Sequence, residues 1–92
     1  MESPMSVQIA WKPQIALGHR LQWEDAQSAW VLLYPEGMVK LNQSAGEILR
    51  RCDGNREIPA IVHELEEAFE VSGIEGQVQD MLVEGARRGW LY

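Results

Sequence analysis

The chain has 92 residues, 46% of them hydrophobic, one cysteine and a formal net charge of −6. That is enough for one domain with its own core, it excludes an intramolecular disulfide, and no apolar stretch approaches the roughly 20 residues of a membrane span. The charge is uneven: residues 1–56 hold six acids and six bases, whereas residues 57–92 hold eight acids against Arg87 and Arg88. Such a second half repels phosphate backbones, so no nucleic-acid partner is expected. The N-terminus has no basic segment leading into a long apolar core; with the lone cysteine this fits a cytoplasmic protein.

Residues 1–12, MESPMSVQIAWK, show no sustained period and an early Pro, which predicts a mobile tail ahead of a single domain over 13–92. Val7, Ile9 and Trp11 alternate, so a strand that pairs elsewhere, even with another subunit, is the second reading of this stretch. After a lead-in from Pro13 to His19, Arg20-Leu21-Gln22-Trp23-Glu24 alternates as a half-buried strand does, with Leu21 and Trp23 expected inward. Asp25 to Ser28 is a polar turn. A second strand over roughly 29–34 is apolar on both faces, as a central strand is. Pro35-Glu36-Gly37 reads as a three-residue hairpin loop in which Gly37 takes the left-handed conformation. Met38-Val39-Lys40-Leu41 returns as the third strand. Three strands joined by short turns make an antiparallel meander with strands one and three at its edges.

Three helices follow, so the expected class is α+β. Ser44-Ala45-Gly46-Glu47 has capping-box spacing, with Asn42 as the rival cap. The first helix carries Ile48, Leu49 and Cys52 inward, puts Arg50 and Arg51 at its negative end and stops at Asp53-Gly54. In the second, Pro59 suits the first turn; Ile58, Ile61, Val62, Leu65, Ala68 and Phe69 share one face, and Glu64, Glu66, Glu67 and Glu70 lie largely off it. Ser72-Gly73 breaks the pattern. The third helix, roughly 74–88, presents Ile74, Val78, Met81, Leu82 and Gly85. Gly76 and Gly85 each weaken it by about 0.8–1 kcal/mol in a helix interior, so it depends on packing. Trp90 and Leu91 should fold back onto the core.

No catalytic constellation stands out, and no enzyme activity or cofactor is expected. His19 and His63 lie in different elements and, with Cys52, give no metal-site spacing. Cys52 sits on a helix stripe without an activating base, as a small buried hydrophobe does. No glycine-rich loop with a lysine offers a phosphate cradle, and the glutamates of the second helix read as a solvated face. The four Trp and the pair Met38 and Met81 are core residues or an adaptable binding surface.

The edge left free on strand three suggests one such surface. An extended peptide can pair with Met38, Val39, Lys40 and Leu41 through backbone hydrogen bonds. Specificity then needs a side-chain wall, for which Val78, Met81 and Leu82 of the third helix, with Gly85 clearing space, are the candidates.

Several stretches carry a family resemblance: LLYPEG at 32–37, LN then SA at 41–45, EIL at 47–49 and CDG at 52–54, with RLQWED at 20–25 and GWL at 89–91. In this order and spacing they resemble the PqqD family of pyrroloquinoline quinone biosynthesis, and the likeness runs from Pro13 to the end. It implies a winged-helix-like peptide-recognition fold whose members bind leader peptides between the third strand and third helix. It also implies a peptide chaperone, a monomer or weak homodimer, that binds the precursor peptide PqqA and presents it to the radical S-adenosylmethionine enzyme PqqE. The iron–sulfur clusters would belong to PqqE, since one cysteine cannot hold one. Two rivals remain: a DNA-binding module, which would want a basic rather than an acidic recognition helix, and an assembly subunit that carries no peptide.

Overall fold

The computed structural model describes residues 11–92. Three strands, β1 (Arg20–Glu24), β2 (Ala29–Tyr34) and β3 (Gly37–Lys40), precede three helices, α1 (Gln43–Leu49), α2 (Ile58–Phe69) and α3 (Glu75–Arg87). The strands form an antiparallel sheet in the order β1-β2-β3, so the meander and the α+β class expected from the pattern are what the chain forms. Val31 and Leu32 of the central strand are fully buried. Of the tail expected over 1–12, residues 1–10, including Val7 and Ile9, lie outside the described region, and Trp11 packs against the core.

Register decides which side chains meet the helices. Leu21 stands opposite Leu32, and Trp23 opposite Trp30; Leu32 in turn faces Val39. These residues share one face of the sheet, and Leu32, Leu21, Trp30 and Val39 join the core with residues of all three helices. Trp23 departs from the expectation of an inward residue. It is 47% exposed, because it lies at the sheet's margin, its ring edge-on to Trp30 at 5.5 Å and its indole N–H donating to Asp25 Oδ1 at 2.8 Å.

Two local readings need correction. The β2–β3 loop has two residues, Pro35 and Glu36, since Gly37 already pairs with Tyr34, and its φ of 159° is far from left-handed. The cap of α1 is Asn42, whose side chain accepts from the backbone N–H of Ala45 at 2.8 Å. An Asn with extended backbone is as good a cap as Ser. Glu47, the supposed capping-box partner, instead faces Arg51 at 2.9 Å. The helix tightens into two i→i−3 bonds at Arg51 and Cys52 before Gly54 turns with φ 81°.

The C-terminus returns to the domain as the sequence suggests. Gln14 and Tyr92 exchange backbone hydrogen bonds at 3.0 and 2.9 Å, and Ala16 N–H donates to Trp90 O at 2.8 Å. This pins Leu91 into the core and closes the lead-in segment against the last residues. α3 packs on α1 and α2, with Val78, Leu82 and Gly85 buried.

Candidate functional site

The free edge of β3 can be resolved residue by residue. Leu41 N–H donates to Trp30 O at 2.9 Å. Backbone groups alternate in direction along a strand, so those of Val39 also point to β2, opposite Leu32, and those of Met38 and Lys40 point away from the sheet. Among the described residues, the edge therefore offers two residues whose outward donors and acceptors have no partner. Their side chains lie on the face opposite Val39 and Leu41; Met38 is 50% exposed, and Lys40 is exposed.

Beside the end of this edge the chain turns into α1, and α1 forms one side of an open cleft of about 430 Å³. Ala45 and Ile48 of α1, Leu65 of α2, and Val78 and Met81 of α3 give it apolar walls. The α2–α3 connection closes one end with Phe69, Val71 and Ile74. That connection is shaped by Glu70, which leaves the helix in a left-handed conformation at φ 54°. Val71 N–H then bonds back to Glu66 O at 3.1 Å, while the Glu66 carboxylate accepts from Ile74 N–H at 3.4 Å. Held in this way, Phe69 and Val71 remain 44% and 45% exposed. The rim is neutral and polar, with Asn42, Ser44 and Gln77.

Glu47 is the charged residue in the lining, and its carboxylate is drawn off by Arg50 at 3.3 Å and Arg51 at 2.9 Å. Arg51 also reaches Glu64 at 3.2 Å, tying α1 to α2 behind the cleft. What remains is an apolar surface with a hydrogen-bonding lip, suited to aliphatic or aromatic side chains of an extended chain.

The eight residues singled out from sequence fall into four pairs. Met38 and Lys40 present the open edge, and Val78 and Met81 line the cleft. Val39 and Leu41 have their backbones turned into the sheet, and Leu41 is buried. Leu82 has no exposed surface, and Gly85 does not clear space for a peptide: a Cβ there would meet Leu91 Cδ1 at 2.8 Å. The room left by this glycine is filled by the protein's own C-terminus. The start of α1 adds Asn42, Ser44, Ala45 and Ile48 to the lining beside Val78 and Met81 of α3. Sequence reasoning missed the contribution of residues 42–48 and of Val71. The signal available was an apolar Phe69 and Val71 flanking a helix end, where a solvated turn would be polar.

Other reactive groups stand apart from this site. The Cys52 thiol is buried, donates to Ile48 O at 3.4 Å, and has its pKa pushed up to about 12, chiefly by desolvation and then by the neighbouring Asp53 charge. His63 is exposed and lies 3.4 Å from Glu67. Among the described residues no three His, Cys, Asp or Glu side chains converge as a metal site would require, and no helix is long and apolar enough to cross a membrane.

A three-stranded antiparallel meander followed by three helices is the α+β architecture of the PqqD-type peptide-recognition domains. The family model described as coenzyme PQQ synthesis protein D (PqqD) matches residues 29–91, and the chain belongs to the PqqD family. A relative from Azotobacter vinelandii (strain DJ), named PqqA binding protein, is 54% identical over 80 residues, covering 86% of this chain and 87% of that protein. Another of the same name, from Methylococcus capsulatus (strain Bath), is 47% identical over 72 residues, covering 78% and 77%. Among solved structures, the fold matches the solution NMR structure of the PqqD truncation of Methylobacterium extorquens PqqCD with a TM-score of 0.74 and 25% identity, covering 92% of this chain and 97% of that one. That domain is described as a functional, stand-alone recognition element for ribosomally synthesized and post-translationally modified peptides.

Proposed function

We propose that this protein is a non-catalytic peptide carrier of pyrroloquinoline quinone biosynthesis, which binds the precursor peptide PqqA and presents it to the radical S-adenosylmethionine enzyme PqqE. The observation that carries the reading is the pairing of an open β3 edge with the adjoining apolar cleft. The names of the relatives support the identity of the peptide, and the likeness to a peptide recognition element supports the class of ligand.

In this reading part of the peptide adds as a fourth strand, exchanging hydrogen bonds with the outward groups of Met38 and Lys40. It then passes the N-terminal turn of α1, and apolar side chains enter the cleft against Val78 and Met81. Backbone pairing supplies affinity with little sequence preference, while the cleft selects. In this reading the chain's part in the pathway is to concentrate and orient the peptide.

Titrating synthetic PqqA into the labelled protein tests the site. Amide shifts are expected at 38–40, 42–48 and 77–81. Shifts confined to 20–24, or no binding, overturn the assignment. Presentation is tested separately, by measuring PqqE-catalysed modification of PqqA with and without this protein. An unchanged rate despite peptide binding overturns that half of the reading alone.

A further inference from the structure

We propose, resting on the peptide reading above, that Gly46 is the residue that sets the size of apolar side chain the cleft accepts. It lets α1 lie against Trp30 of the sheet, and the depth of that contact fixes the room left between Ile48 and α3.

A Cβ on Gly46 would stand 2.6 Å from Trp30 Cδ1, 2.9 Å from its Cβ and 3.0 Å from its Cγ. Trp30 cannot yield to it. Its Cβ is fixed by the backbone of β2, where Trp30 O accepts from Leu41 N–H at 2.9 Å. Its indole is flanked by Trp23, edge-on at 5.5 Å, and by the Arg50 guanidinium, 5.6 Å from the ring centre. Any side chain at position 46 must therefore lift the helix. Ala is the better helix former, so this glycine marks a place where packing outweighs propensity. A helix of seven residues is too short to hold its position alone, and its contacts place it.

The cleft lies on the far side of the same helix. Successive helical residues are about 100° apart, so Ile48, two positions from both Gly46 and Arg50, projects about 200° from each. Gly46 and Arg50 grip Trp30 on one side of α1, and Ile48 forms part of the cleft wall on the other. α1 packs on β2 and on α3, so lifting it from Trp30 drives Ile48 toward Val78 and Met81. Arg51, tied to Glu64 of α2 at 3.2 Å, restrains the C-terminal end. The displacement then falls on the half that carries Ala45 and Ile48. One added methyl on the sheet side thus narrows the cleft without touching the ligand.

Calorimetric titration of the full chain tests this, using synthetic PqqA and analogues in which one apolar residue at a time is changed to Ala. The analogue that loses most against the wild type, about tenfold for a buried side chain, identifies the residue that fills the cleft. The quantity read is the ratio of the two dissociation constants, which a lower folded fraction leaves unchanged because it weakens both alike. Gly46→Ala is expected to bring that ratio to about twofold or less. Adding Ile48→Val trims the opposite wall and should restore the ratio, although the domain loses further stability. If Gly46→Ala leaves too little folded protein to titrate, Trp30→Leu takes its place. There α1 settles toward the sheet, and an analogue with a larger side chain at the selected position should gain affinity relative to PqqA. A wild-type ratio in Gly46→Ala, a ratio that Ile48→Val fails to restore, or no gain in Trp30→Leu overturns the proposal and leaves PqqA binding standing. A wild type that does not bind PqqA, or that singles out no analogue, overturns the peptide reading and the role of Gly46 with it.

Discussion

Among the described residues the two edges of the sheet both carry outward backbone groups without a partner, and they differ in what stands beside them. Next to β3 the chain enters α1, and the cleft walled by Ile48, Val78 and Met81 begins there. The distinguishing feature of β1 is its alternation, with Arg20, Gln22 and Glu24 on one face and Leu21 and Trp23 on the other. A ladder edge recognises any extended chain, because its hydrogen bonds are blind to sequence. Selectivity comes from neighbouring side chains: an apolar cleft favours a peptide with apolar residues, whereas the Arg20, Gln22 and Glu24 row on one face of β1 offers them no such contact.

The largest expected effect separates the inward and outward rows of β3. Val39→Pro removes an N–H that points to β2 and with it a ladder hydrogen bond of the sheet, and urea denaturation should show a domain largely unfolded or close to it. Next comes the cleft. Met81→Glu sets a carboxylate in the path of an apolar side chain while keeping a good helix former, and should weaken PqqA binding about tenfold to a hundredfold by calorimetric titration. Its denaturation midpoint should move little, since Met81 is only half-buried. Lys40→Pro removes an outward N–H and should leave the fold intact, lowering affinity several-fold as one hydrogen bond of about 0.5–1.5 kcal/mol is lost. Unfolding by Lys40→Pro with a tolerated Val39→Pro would reverse the two rows and break the assignment of the edge. R20E, on the other edge, should leave PqqA affinity unchanged.

Much of this architecture was legible in the chain, because local and tertiary preferences agree there. The alternation of 20–24, the apolar run 29–34 and the stripes of α2 and α3 all survive into the fold. The failures came where partners distant in sequence decide. Trp23 has the period of a buried residue, yet the sheet ends beside it, and nothing in its spacing reveals that. Gly85 reads as a gap for a ligand until Leu91 is seen to fill it, a contact set by pairing of 14–16 with 90–92. The cleft itself draws on five segments, so no single pattern announces it. Its polar lip was hidden too, since Asn42 and Ser44 read as rival caps rather than as a rim. Edge strands could be named from the meander, but the direction of each N–H awaited the bond from Leu41 to Trp30.

The smallest effect belongs to a residue remote from both edges, and it shows whether stability and recognition are separable here. Cys52 is buried, its thiol donates to Ile48 O, and it is not itself part of the cleft lining. Cys52→Ala removes one buried sulfur, and a loss of about 1 kcal/mol is the scale for deleting a methyl-sized group from a core. PqqA affinity should stay within twofold of wild type, about 0.4 kcal/mol. The thiol carries a pH signature as well. Its pKa rises from 9.0 to about 12 in the folded chain, so the folded state favours the neutral thiol. The stability it contributes is complete below the ordinary value and is lost progressively as pH climbs through the interval toward 12. Measured against wild type between neutral pH and pH 11, the alanine variant should lose less stability with rising pH, so the two denaturation midpoints converge. Parallel midpoints across that range would mean that burial does not hold the thiol neutral, and an affinity loss with the fold intact would mean that Cys52 is coupled to the site and is no mere packing residue.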